Sequence, residues 1–263
     1  MERRPLAGGP VETDAVAVEE PLELRLRGRP LAVLLRTPGR ERDLIAGFLV
    51  AEGLVEARED LLAVEPCPDP ATGRPSPHVW NVALAEGLAA RPRAERLFPV
   101  SSGCGLCGAR TVETLALEAP APPRPARRPG PDELGRAFAA LRERQRLFAA
   151  TAGCHGAGLW DLARPAGELL DVAEDVGRHN AVDVVLGARF LAGDHPLTRP
   201  HALLVSGRLS FELVQKAALG GVALLAGVGM PSSLAIGAAR ACGVTLVGWV
   251  RDGGGWVYAE PAA

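Results

Sequence analysis

Leucine at positions 22, 24 and 26 alternates with Glu23, Arg25 and Arg27, a period of two that predicts a half-buried strand. Gly28-Arg29 can turn the chain, and the more fully apolar run Leu31 to Leu35 predicts a return strand, so the pair reads as a β-hairpin. Thr37-Pro38 offers an N-cap and a first helical residue to an amphipathic helix carrying Leu44, Ile45, Phe48 and Leu49, which should stop at Gly53. Residues 66–78, rich in proline, read as a loop. Strands are expected at Val79 to Leu84 and around Leu97 to Val100, and Thr111 to Leu117 reads as a strand or a short helix. Residues 21–118 thus predict a mixed α+β part, preceded by a tail over 1–20 that lacks any periodicity and should fray.

Residues 119–131 form a proline-rich, stiff connector, the best internal boundary in the chain. Beyond it the rhythm changes. A helix from Asp132 to about Ala149 presents Leu134, Phe138, Leu141 and Phe148. Strands at Leu169 to Ala173, Ala202 to Val205, Val222 to Leu225 and Val244 to Val250 then alternate with helices near 180–191, 211–219 and 232–241. Strand and helix taking turns predicts an α/β sheet with helices on its faces over 132–263.

A chain of 263 residues can bury a full core. The formal net charge is -2 and both signs are interspersed, which argues against nucleic acid or an anionic membrane as partner. No apolar run approaches the roughly 18 residues a membrane span needs, and Met1-Glu2-Arg3-Arg4-Pro5 leads into no apolar segment, so a soluble, cytoplasmic protein is expected. The five cysteines, at 67, 104, 107, 154 and 242, are odd in number and irregularly spaced, which speaks against a disulfide framework. Of the 29 basic residues only Lys216 is a lysine. It is either a site that needs a compact, titratable ammonium or a surface position spared by chance.

The predicted strands of the second part run into similar chemistry: Glu174-Asp175-Val176-Gly177-Arg178-His179-Asn180, Ser206-Gly207-Arg208-Leu209-Ser210, Gly227-Val228-Gly229-Met230-Pro231-Ser232-Ser233 and Arg251-Asp252-Gly253-Gly254. Any one of these could be an ordinary strand-to-helix turn. If the strands are parallel, all four gather at one sheet edge, where helix N-termini and arginines suit an anionic, nucleotide-bearing ligand. Gly227-Val228-Gly229 lacks the full dinucleotide fingerprint, so a dehydrogenase has little support. His179, crowded by Asp175, Arg178 and Asn180, is the first histidine to consider.

Sulfur chemistry is suggested by Ser101-Ser102-Gly103-Cys104-Gly105-Leu106-Cys107-Gly108, two thiols in a glycine-rich loop whose N–H groups could converge on a thiolate or persulfide. Half of a zinc site would need partners from Cys67, His78, Cys154, His155 or Cys242, with no second paired motif in the chain. A thioredoxin-type dithiol would need a helix to start among glycines, and a zinc deaminase would need His-x-Glu and Pro-Cys-x-x-Cys, both missing. A loop that carries sulfur as a persulfide is the remaining reading. Cys154-His155 could form a second nucleophile and base, though a packed glycine-rich turn is the better reading.

The cysteine loop, Glu174 to Asp183, Ser206 to Ala217 and Thr245 to Arg251, taken together and in order, closely resemble the formate dehydrogenase accessory sulfurtransferase family, FdhD. The resemblance implies a cytidine-deaminase-like α/β core without deaminase zinc chemistry, a smaller β-containing N-terminal part and a homodimer. It implies a sulfur carrier that takes persulfide sulfur from a cysteine desulfurase. The sulfur would pass to the molybdenum or tungsten bis-pterin guanine dinucleotide cofactor destined for formate dehydrogenase, a bound substrate, with no resident metal. By the same resemblance Cys104 carries the persulfide, Cys107 assists, and the cofactor lies against Trp249, Val250, Arg251, Asp252, Gly253 and Gly254, with Arg208, His179 and Lys216 as further candidates. A chaperone that delivers the cofactor without covalent sulfur is the alternative.

Overall fold

A computed structural model describes residues 1–6, 8–88, 112–164, 167–251 and 254–261. Within 1–20, β1 (Glu2–Arg3) pairs antiparallel with β2 (Glu12–Thr13). The expected hairpin is present as β3 (Glu20–Leu26) and β4 (Arg29–Arg36), with the leucines at 22, 24 and 26 turned into the core. Helix α1 (Glu41–Ala51) begins later than Thr37-Pro38 suggests. Thr37 is engaged elsewhere: its hydroxyl oxygen accepts from the Val176 N–H at 3.2 Å, and Gly39 (φ +125°) turns the chain before the helix. The helix ends as expected, with Gly53 at φ +65°.

The segment expected to be a loop is instead most of a hairpin. A 3₁₀ turn (Arg58–Asp60) leads to β5 (Leu61–Pro68), which pairs antiparallel with β6 (Pro75–Leu84). Its prolines are tolerated because β5 is the edge of a four-stranded sheet ordered β4-β3-β6-β5, and β6 meets β3 only from Val79 onward. Asp69 closes the turn, accepting from the Ala71 and Thr72 N–H groups at 3.0 and 2.8 Å.

Thr111 to Leu117 yields a helix, α2 (Val112–Glu118), whose Leu115 is fully buried. The helix expected over 132–149 is broken at Gln145 into α3 (Pro131–Arg144) and α4 (Arg146–Thr151). Then comes a strand that the sequence did not announce, β7 (His155–Asp161). Its glycines hide it. A Cβ at Gly156 would lie 2.3 Å from Gln145 Nε2 and one at Gly158 would lie 2.9 Å from a Leu169 methyl, so overlying side chains forbid the β-branched residues that usually signal a strand.

The remaining elements follow the expected order within about two residues: β8 (Glu168–Asp175), α5 (Arg178–Leu191), β9 (His201–Val205), α6 (Phe211–Leu219), β10 (Leu224–Gly227), α7 (Ser233–Cys242) and β11 (Thr245–Arg251). A last strand, β12 (Gly254–Ala259), returns antiparallel on β11. The six strands are ordered β12-β11-β10-β9-β7-β8. Leu203, Val205, Leu225 and Leu246 face the larger core, shared with α1, α5, α6, α7 and the leucines of β3, while Ala202, Leu204, Leu224 and Val247 face Leu134 and Leu141 of α3. The chain is therefore a mixed α/β fold in which both parts share the larger core.

Helix α1 joins the two parts at close range. A Cβ at Gly47 would lie 1.9 Å from the Asp183 carbonyl oxygen, and one at Gly187 would lie 1.9 Å from that of Asp43. Only glycine at both positions lets α1 and α5 cross backbone to backbone. Among the described residues no helix is long and apolar enough to cross a membrane.

Candidate functional site

Strand β7 runs antiparallel to both β8 and β9, and β9, β10 and β11 are mutually parallel, so β8, β9, β10 and β11 all end at one edge of the sheet. Cys154 and His155, at the start of β7, lie at that same edge. The described residues of the four sequence stretches singled out above are thus brought together. Three helices, α5, α6 and α7, begin there with Gly177, Ser210 and Ser232 as N-caps, directing N–H groups outward. Arg178, Arg208 and Arg251 stand beside them, a setting for a polyanion.

The loops are laced into one surface by backbone hydrogen bonds. Gly229 N–H donates to the Gly207 carbonyl at 3.1 Å, Leu209 N–H to that of Met230 at 3.1 Å, and Trp249 N–H to that of Gly229 at 3.1 Å. A Cβ at Gly229 would come within 2.8 Å of Arg208 Cα, so glycine sets how closely the loops approach. At the end of β11 a register shift carries Trp249 into the left-handed region at φ +58°. That conformation costs a tryptophan on the order of 1–3 kcal/mol and is held by its surroundings. It sets the 41% exposed indole against the Arg251 guanidinium, 3.6 Å from the ring centroid. Val250 points inward to α3, and Gly254 opens β12. Asp252 and Gly253, like Cys104 and Cys107, lie outside the described residues.

Asp175 and Asn180 build the β8–α5 turn. Asp175 accepts from the N–H groups of Gly177 (2.7 Å) and Thr37 (2.9 Å) and from the Asn180 amide (2.9 Å). Burial nevertheless outweighs these donors and pushes its carboxyl up to about 6. His179, on the first turn of α5, meets Glu212 of α6 at 2.8 Å and Ser210 Oγ at 3.4 Å, and the imidazole holds the Glu212 carboxyl below its ordinary range. One turn deeper, Lys216 Nζ donates to both carboxylate oxygens of Asp183, at 2.7 and 2.9 Å. Lys216 is neither a spared surface residue nor an open cation: its side chain is 9% exposed. The two pairs cross between α5 and α6 with the carboxylate on α6 in one and on α5 in the other, and sequence reasoning missed Asp183 and Glu212 although they sit four residues from His179 and Lys216 respectively.

Cys154 is buried, which pushes its thiol up, away from the thiolate a nucleophile needs. His155 is held toward its neutral form by burial and by the charges of Arg178 and His179. Cys67 and His78 belong to the four-stranded sheet and Cys242 to the end of α7, and no three His, Cys, Asp or Glu side chains among the described residues assemble as a metal site.

A family model described as the FdhD/NarQ family matches residues 17–263. The chain belongs to that family. Among curated relatives, the sulfur carrier protein FdhD of Streptomyces coelicolor is 43% identical over 250 residues, covering 94% of this chain and 87% of that protein. The proteins of the same name from Mycobacterium tuberculosis and Anaeromyxobacter dehalogenans are each 43% identical, covering 93% and 98% of this chain and 90% and 91% of theirs. In fold the chain is similar to a crystal structure from Desulfotalea psychrophila, of a protein described as a candidate formate dehydrogenase accessory protein. The TM-score is 0.73 at 24% identity, over 99% of this chain and 95% of that one. The FdhD resemblance carried by the four motifs is thereby borne out at the level of the family.

Proposed function

We propose that this protein is the sulfur carrier of a formate dehydrogenase system, a sulfurtransferase working through a cysteine persulfide. The observation that carries the reading is membership of the family, with relatives named sulfur carrier along nearly the whole chain, joined to two thiols in Gly103-Cys104-Gly105-Leu106-Cys107-Gly108. Cys104 thiolate attacks the outer sulfur of a cysteine desulfurase persulfide, the sulfur–sulfur bond of the donor breaks, and the desulfurase leaves as a thiolate. Cys107 thiolate then attacks Cys104, the outer sulfur departs as hydrosulfide to the metal, and the disulfide left behind is reopened by cellular thiols.

The substrate is a molybdenum or tungsten bis-pterin guanine dinucleotide. Its phosphates suit the N-termini of α5, α6 and α7 and the arginine side chains, and its flat rings suit the Trp249–Arg251 stack. His179 and Arg208 border that edge, whereas Lys216 supports it from below through Asp183. Partners in this reading are the desulfurase, the formate dehydrogenase that receives the cofactor and a second copy of the chain, all in the cytoplasm. Complementation tests the reading: Cys104→Ala should abolish activation of formate dehydrogenase in cells lacking the native carrier, with an unchanged Tm. Full activation by that variant contradicts the assignment. Arg251→Ala should weaken GDP binding about tenfold, and unchanged affinity would remove the β11 end from the site.

A further inference from the structure

The first turn of α5 is fastened to the N-terminal part by a cluster of hydrogen bonds around one buried carboxylate. Asp175, 1% exposed at the end of β8, accepts from the Gly177 N–H, from the Asn180 amide and from the Thr37 N–H, which lies between β4 and α1. The Asn180 amide also donates to the Leu35 carbonyl of β4, at 2.7 Å. The Thr37 hydroxyl ties the same turn from the other side: its oxygen accepts from the Val176 N–H, and it hydrogen-bonds the Cys154 sulfur just before β7. Space in the turn is tight, since a Cβ at Gly177 would lie 3.1 Å from Asn180 Nδ2 and 3.3 Å from Asp175 Oδ1. Arg178 and His179 follow at once, at the start of the helix. Every hydrogen-bond partner of Asp175 is a donor, so only the ionised, acceptor-only carboxylate satisfies all three. Protonation aims an O–H at a donor, and at least one of the bonds must break. Charged and titratable groups meet it from each neighbouring element. Arg36 of β4 favours the carboxylate, His155 is its cross-strand partner on β7, Cys154 and Glu174 lie alongside, and Arg178 and His179 stand on α5.

We propose that Asp175 is a positioning residue for the strand-end site: its carboxylate, clasped by Thr37, Gly177 and Asn180, sets the first turn of α5 and with it the aim of Arg178 and His179 at an anionic ligand. The inference rests on the reading of that edge as a guanine nucleotide site. The carboxylate is too buried to meet the ligand itself, so its effect on affinity passes through the turn it holds. Burial pushes the carboxyl up to about 6, so the clasp loosens between pH 8 and pH 5 and affinity falls as the proton is taken up.

Calorimetric titration of the full chain with GDP between pH 8 and pH 5, in the wild type and in Asp175→Asn, tests this. The ratio of the two affinities at each pH cancels the titration of GDP itself and of His155 and His179, which both proteins share. The wild type should bind about tenfold more tightly than the variant at pH 8, and that advantage should shrink to about twofold at pH 5. A carbon-13 NMR titration of the Asp175 carboxyl in the wild type reads the same coupling from the other side and serves if Asp175→Asn does not fold. Saturating GDP should make that carboxyl take up its proton only at about tenfold higher proton concentration. An affinity ratio that stays constant from pH 8 to pH 5, or a carboxyl titration that GDP leaves in place, overturns the positioning role. A wild type that binds no GDP at any of these pH values overturns the nucleotide reading of the edge and this inference with it.

Discussion

Lys216 illustrates what one residue in a sequence can and cannot disclose. As the single lysine among 29 basic residues it stood out, yet its role depends on Asp183, which only the crossing of α5 and α6 brings within 2.7 Å. Breaking such a pair strands a buried charge, so Lys216→Met should destabilise the fold by about 3–5 kcal/mol, and the double variant with Asp183→Leu should recover most of that loss. Denaturant unfolding of the two variants checks both statements. Two further groups, one buried and one half-buried, titrate in opposite senses. Burial raises Asp175 from 3.8 to about 6, so the folded state holds its proton longer and stability falls as pH rises from 4 to 6. Burial lowers His195, edge-on to Phe190, from 6.5 to about 4, so the unfolded chain takes up its proton first and stability falls as pH drops from 6.5 to 4. Each is on the order of a few kcal/mol, and in the intact protein the two oppose each other. Thermal unfolding between pH 4 and 6.5 should therefore be steeply acid-sensitive in Asp175→Asn and should show the reverse slope in His195→Phe.

Among the elements, those written in strong periodic patterns were legible: the β3–β4 hairpin, α1, and every strand and helix from β8 to β11. Those hidden from the sequence were hidden for physical reasons. Strand β7 carries glycines because Gln145 and Leu169 overlie it, and β5 carries prolines because an edge strand tolerates them. The same closeness governs the α1–α5 crossing, where glycine at 47 and 187 permits backbone contact that no pattern of apolar residues announces. Gly187→Ala should cost at least about 2 kcal/mol of stability by forcing those helices apart. Gly237→Ala, on the exposed face of α7 with nothing within 4 Å, should instead be neutral or stabilising by up to about 1 kcal/mol. Chemical denaturation of both variants separates a packing glycine from an incidental one.

For the whole molecule, the strand-end chemistry was readable before the fold because each strand ran visibly into glycine, serine and arginine. What the sequence could not supply was the direction of β7, whose antiparallel course lets β8 join the parallel strands in ending at one edge, and the break at Gln145 between α3 and α4. The central claim is that this edge serves sulfur transfer through Cys104 and not cofactor delivery alone. The most direct test is to incubate the protein with a cysteine desulfurase and cysteine, alkylate the thiols, and weigh the peptide that contains Cys104 and Cys107. The account predicts one added sulfur atom on that peptide, lost in Cys104→Ala. An unmodified peptide in a protein that still binds guanine nucleotide would contradict it and leave a cofactor chaperone.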